Sequence, residues 1–238
     1  MPKEISPLDG RYAGRLGDLA ELFCEQSLMR HRCRVELAWL EALAATGRFF
    51  QLDAAGSAAI RRARESFDDA DFAAIKRFEA KTAHDVMACV EFLRERFPAQ
   101  AEWIHFALTS EDVNNLAWSL IFRNYATRLQ LPLLDKIIRK LTELAKQWQD
   151  APFPAKTRGQ PASPTTAGKE LAVFLARLLR QRRQLHGFCF RGKLNGATGN
   201  WSSFAAADPD FNWIACSRQF VETLGLEFNA VTTQIEDH

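Results

Sequence analysis

Along most of the chain, apolar residues recur at three- and four-residue spacings, and short polar clusters interrupt the pattern. Between residues 18 and 46, Leu19, Leu22, Phe23, Leu28, Val35, Leu37, Trp39, Leu40 and Leu43 trace a helix that stops at Gly47, a residue suited to cap it. Shorter patterns over 53–66, 69–80, 84–97 and 100–107 predict further helices. Their polar connections are too short for crossover strands.

From Thr109 the texture changes. Val113, Leu116, Leu120, Ile121, Tyr125, Leu129, Leu133, Ile137, Leu141, Leu144 and Trp148 continue the period without a glycine. A single helix of that length would run roughly 60 Å. Pro132 lies inside it and predicts a kink. A second long helix is expected over 164–190, with Ser163 as N-cap and Pro164 at the first helical position. Asp208-Pro209 repeats that opening for a third helix ending near Gly225, whereas 191–207 reads as an irregular loop. The fold class is therefore all-α, with a small N-terminal helical domain over 1–108 followed by long bundle helices over 109–238. Rods of this length bury their apolar stripes in a bundle, so self-association is expected.

Composition narrows the partners. The 238 residues are 47% apolar and 25% charged, ordinary for a soluble globular protein. A net charge of +2, from 31 Lys and Arg against 29 Asp and Glu, gives no chain-wide field for nucleic acid or an anionic membrane. The five cysteines include no C-x-x-C pair, which argues against a disulfide framework and a zinc knuckle. No N-terminal apolar segment of signal type and no run of ~18 apolar residues occurs, so a cytoplasmic location is expected.

Four polar clusters could carry chemistry, and each also has a plain structural reading. In Ser6-Pro7-Leu8-Asp9-Gly10-Arg11-Tyr12, Arg11 could bind phosphate or carboxylate, or the run is a turn. In Lys81-Thr82-Ala83-His84-Asp85-Val86, a histidine beside an acid suits proton transfer, or Thr82 or Asp85 caps the next helix. Thr109-Ser110-Glu111-Asp112 could form an anion site at a helix start or a capping box. In Lys156-Thr157-Arg158-Gly159-Gln160-Pro161, the polar side chains could line a cleft while the prolines stiffen the connection.

Taken together the clusters resemble the adenylosuccinate lyase family of the aspartase and fumarase superfamily, in particular its bacterial branch. The residues that carry the resemblance are S-P-L-D-G-R-Y, K-T-A-H-D-V, I-H-F-A-L-T-S-E-D-V-N-N, G-Q-P-A-S-P-T-T-A-G-K-E, G-K-L-N-G-A-T-G-N and T-T-Q-I-E, in family order from residue 6 to 236. The resemblance implies a homotetramer built on a shared helical bundle and a β-elimination releasing fumarate from adenylosuccinate, giving AMP, and from a related succinylated carboxamide ribotide. It implies no metal or organic cofactor. It places Arg11 and Tyr12 on the nucleotide phosphate, with Ala83, His84 and Asp85 against the substrate, His84 also assisting the acid. Thr109 and Ser110 would hold a succinyl carboxylate, Thr157 would line the site, and Gln234 would hydrogen-bond the substrate.

Two departures accompany the matches. Arg158 stands where the family has its general-acid histidine, and a guanidinium does not exchange protons usefully at neutral pH. The family's serine loop, S-S-x-M-P-x-K-x-N, which carries the general base, does not occur in these residues, and the ending V-T-T-Q-I-E-D-H reads as an interruption. The expectation is an N-terminal portion of such a lyase, impaired in turnover. The alternative is an inactive relic that binds nucleotide or co-assembles with a complete enzyme.

Overall fold

The computed structural model describes residues 5–236. The readings of the terminal residues 1–4 and 237–238 lie outside them. The described residues are mainly helical, with loops between the helices and two short two-stranded ladders.

It forms two compact units, one made of residues up to Arg123 together with those from Cys189 onward, the other of Asn124–Phe188. In the first unit, α1 (Gly17–Phe23) and α2 (Glu25–Ala45) replace the single helix expected over 18–46, because Cys24 is extended, with ψ 160°. Gly47 closes α2 as expected, its N–H bonding to Ala44 O at 3.0 Å. Asp53 and Asp68 cap α3 (Ala54–Glu65) and α4 (Asp69–Thr82) with their carboxylates. α5 spans Asp85–Arg96. The helix expected over 100–107 is instead a 3₁₀ segment, Pro98–Trp103, and the left-handed residues His105 (φ 66°) and Ala107 (φ 61°) follow it.

α2 is buried nearly all round, which explains how it serves two apolar clusters. Val35, Trp39 and Leu43 join Val113, Leu116, Phe204 and Trp213. Met29, Cys33, Leu37 and Leu40 join Ile60, Ile75, Cys89 and Leu93. Trp39 is fully buried, packs edge-on to Phe220 at 5.1 Å, and donates its indole N–H to Phe106 O at 3.0 Å.

α6 (Ser110–Tyr125) passes through a π turn, Ala126–Gln130, into α7 (Leu131–Gln147). The sequence predicts a kink at Pro132, and the helix answers it by winding loosely just upstream. A proline lacks an N–H and crowds the carbonyl four residues back, and i→i+5 winding accommodates both effects.

In the second unit α7 packs against α8 (Ala167–His186), and Arg182 pairs with Asp135, Nη2 to Oδ2 at 3.0 Å. Between these helices lies an antiparallel hairpin, β1 (Pro152–Thr157) and β2 (Gln160–Thr166). This corrects two expectations. The connection holding the Lys156–Pro161 run is a paired hairpin with that run at its tip, which the helical pattern did not predict, and α8 begins at Ala167 rather than Pro164. Residues before proline avoid the helical region, so Gln160 and Ser163 stay extended, and Gln160 pairs with Thr157. Thr166 then takes the N-cap role expected of Ser163, its hydroxyl accepting from Lys169 N–H at 3.2 Å.

The remaining elements belong to the first unit. β3 (Arg191–Gly192) pairs in parallel with β4 (Glu227–Phe228), and α9 spans Ser202–Ala207. α10 (Trp213–Thr223) opens on Asn212 rather than Asp208-Pro209, with Asn212 Oδ1 accepting from Ala215 N–H at 3.1 Å. Asp208 is instead engaged by the Arg48 guanidinium.

Candidate active site

The site is built from the start of α6. Ser110 is the first helical residue, and Asp112 Oδ2 accepts from the Thr109 N–H at 3.0 Å, one half of the expected capping box. The other half is not made, because the Thr109 hydroxyl does not bond to the helix. Among the described residues neither the Thr109 nor the Ser110 hydroxyl has a hydrogen-bond partner, so both remain available at the positive end of a helix dipole.

Asp112 is committed inward. It is fully buried, and its Oδ1 meets the equally buried Lys193 ammonium at 2.9 Å. The same carboxylate accepts from Asn195 N–H at 3.1 Å and Gly196 N–H at 3.2 Å. Lys193 Nζ also donates to Gly196 O at 2.8 Å. Asn115 completes the knot, accepting from Lys193 N–H at 2.9 Å and donating to Lys193 O at 3.1 Å. Asn195 Nδ2 reaches on to Thr232 Oγ1 at 2.7 Å, while its Oδ1 is buried without a partner. Gly199 sits at φ 78° against the carbonyls of Thr232 and Thr233, where a Cβ would collide with backbone. The stretch 193–201 is irregular as expected, but residues 192–196 are buried and hydrogen-bonded, and Gln234 lies two residues from the anchor at Thr232. Gln234 itself is exposed, with no side-chain partner among the described residues.

A second buried group serves His84 and Asp85. Arg32 on α2, only 4% exposed, pairs with Asp85 Oδ2 at 2.6 Å and donates from Nε to Asn114 Oδ1 at 2.8 Å. Partial burial works against the Asp85 charge, but Arg32 outweighs it and holds the carboxyl below its ordinary 3.8. His84, rather than Thr82 or Asp85, caps α5, its Nδ1 accepting from Met87 N–H at 3.3 Å. That bond puts the proton of the neutral ring on Nε2. Ala83 lies in the left-handed region (φ 50°) and closes α4 through its N–H on Glu79 O at 2.8 Å, turning His84 out of the helix.

Beside this group, one turn along α2 from Arg32, the buried Glu36 accepts or shares a proton with His105 Nδ1 at 2.6 Å. That bond is made by Glu36 Oε1, while Oε2 is buried without a hydrogen-bond partner among the described residues. Burial lowers the His105 pKa, but the Glu36 charge and hydrogen bond prevail, so the imidazole sits above its ordinary 6.5.

Arg11 and Tyr12 are exposed in the same unit, the guanidinium 5.4 Å from the Tyr12 ring centre. No hydrogen bond or ion pair joins them to the Asp112 or Arg32 groups. Thr157 and Arg158 belong to the second unit. Thr157 pairs with Gln160 across the hairpin, and the two-residue turn consists of Arg158 (φ 51°) and Gly159 (φ 79°). Both positive φ values define a type I′ turn, which fits the strand twist and favours Asn-Gly. Arginine is an unusual occupant, and its side chain makes no ion pair among the described residues.

The labour is thus divided. Thr109, Ser110 and Gln234 keep their polar side-chain groups unspent, while Asp112, Asn115, Lys193 and Asn195 fix the segments beside them and Arg32 holds Asp85 and Asn114. Sequence reasoning missed this second set. Its signal was present as charged residues placed at Arg32 and Glu36 inside an apolar helical pattern, and as Lys193 between glycines. Among the described residues no group of three or more His, Cys, Asp or Glu could hold a metal, and no helix is long and apolar enough to cross a membrane.

A helical frame with polar loops fixed at helix starts defines the chain as an all-α protein whose candidate chemistry lies at helix boundaries. Residues 10–238 match the family model described as lyase, and the chain belongs to that family. It is 40% identical over 243 residues to the adenylosuccinate lyases of Haemophilus influenzae and Escherichia coli, covering 98% of this chain and 53% of theirs. The chain therefore spans about half the length of the curated relatives it matches, and the fit is to an N-terminal portion. A fumarate lyase from Mesorhizobium sp. BNC1 shares the fold with a TM-score of 0.75 at 22% identity, covering 91% of this chain and 49% of that one. A β-carboxy-cis,cis-muconate cycloisomerase from Acinetobacter calcoaceticus gives 0.71 at 19%, covering 91% and 50%.

Proposed function

We propose that these residues form the nucleotide-facing part of a lyase that releases fumarate from adenylosuccinate and from the succinylated carboxamide ribotide of purine biosynthesis. The observation that carries the reading is the pair of unspent hydroxyls on Thr109 and Ser110 at the α6 start, held by a buried carboxylate within a lyase-family chain. In this reading Arg11 and Tyr12 take the phosphate, and Thr109 and Ser110 take a succinyl carboxylate through charge-assisted hydrogen bonds. Ala83 and Asp85 shape the wall, Thr157 lines it, and Gln234 hydrogen-bonds the substrate. His84, its ring proton on Nε2, assists proton delivery. The assembly is a homotetramer, the location is cytoplasmic, and no cofactor takes part. The same reading divides the chain into a helical domain over 1–108 and part of a bundle domain over 109–238. Exposed apolar residues on α7 and α8, among them Leu133, Ile137 and Phe174, support the bundle.

Arg158 favours a second reading, in which the chain binds nucleotide but turns it over poorly. A guanidinium at the hairpin tip can hold an anion but is a poor proton donor at neutral pH. Fumarate release from adenylosuccinate decides between the two. Arg158→His should raise the rate by about 10²-fold or more. No gain would mean that this position does not carry the acid, and AMP binding without fumarate release by either form would support the binding-only reading. Absence of binding by either form would overturn both.

A further inference from the structure

We propose that the buried Asp112–Lys193 pair is a positioning device that sets the distance between the Thr109–Ser110 end of the site and the Gln234 end. The proposal rests on the lyase reading above and names residues outside the expected substrate contacts.

Thr109 and Gln234 are far apart in sequence and sit on different segments, so something must fix their spacing. The hydrogen bonds supply a continuous route. Thr109 N–H is held by Asp112, and Asp112 holds Lys193 and the Asn195 and Gly196 amides. Asn195 in turn holds Thr232, and the left-handed Gly199 lets this loop lie against the carbonyls of Thr232 and Thr233. Asp112 spreads its charge over four donors, and Lys193, fully buried, has found a carboxylate and a carbonyl. A buried ion pair with this many directional partners specifies a geometry more than it stabilises a fold. Removing one partner alone would strand the other charge, so the informative variants are Asn195→Ala, which cuts the route while sparing the pair, and the double variant Asp112→Asn with Lys193→Met.

The experiment combines amide hydrogen exchange with calorimetric binding of two probes, adenylosuccinate and AMP. In the double variant, exchange should rise together at 108–112, 193–199 and 230–236 while α3 to α5 keep their protection. In Asn195→Ala the rise should be confined to 230–236. Both variants should bind adenylosuccinate about tenfold or more weakly, the loss expected for a displaced hydrogen bond to a charged group, and bind AMP within about twofold of the parent. Unchanged adenylosuccinate affinity in both variants would overturn the proposal, as would equal loss of both ligands, the mark of general loosening. If the parent binds neither probe, the lyase reading fails. The exchange pattern then decides the positioning device alone, coupled release supporting it and independent release of the three segments overturning it.

Discussion

At the scale of single residues, charge placement inside an apolar helix carries the most information. Arg32 and Glu36 lie four apart on α2, each buried and each bonded to a residue from a site motif, Asp85 and His105. The His105 imidazole is raised above its ordinary 6.5, so its pair with Glu36 stabilises the fold fully below about pH 6.5, and that contribution is lost as pH climbs through the folded value. Denaturant unfolding between about pH 5 and pH 9 should show this decline, and Glu36→Gln should flatten it. Arg158 is a different case. A left-handed conformation costs an arginine what it would not cost glycine, so Arg158→Gly should slow amide exchange at Thr157 and Gln160 in the hairpin.

Elements were legible where one apolar period ran unbroken. The helices that became α3, α4 and α5 fell close to their expected spans because carboxylate and His84 caps, left-handed Ala83 and polar connections mark the ends. Errors gathered at prolines and glycines. Ser163-Pro164 looks like a helix opening in one dimension, yet Pro161 and Pro164 themselves lie opposite Lys156 and Pro154 of β1 in a hairpin. Strand pairing is a non-local event, and no helical period foretells it. At Pro132 the expected kink appears as a π turn, so Pro132→Ala should return Ala126–Gln130 to α winding, visible in backbone chemical shifts. α2 is the element on which the first unit depends. Trp39→Ala should cost about 3–5 kcal/mol in that unit's unfolding, since the indole touches several rings and gives up a hydrogen bond.

For the whole molecule, the decisive property is apolar surface left over after folding. Leu133, Ile137 and Phe174 are each about half exposed in the second unit, although α7 and α8 already pack together. Light scattering should therefore report a mass well above the 27.0 kDa of one chain, and Leu133→Ser combined with Phe174→Ser should bring it down toward that value.

The sequence by itself determined the helical class, the family motifs and which polar side chains cluster at helix boundaries, because periodicity and residue chemistry are local and survive in one dimension. Tertiary structure alone decided how those side chains are held. Only folding could bring Asp112 to Lys193, Arg32 to Asp85 and Asn195 to Thr232. A buried charge needs a partner, and which partner it finds depends on how the helices pack.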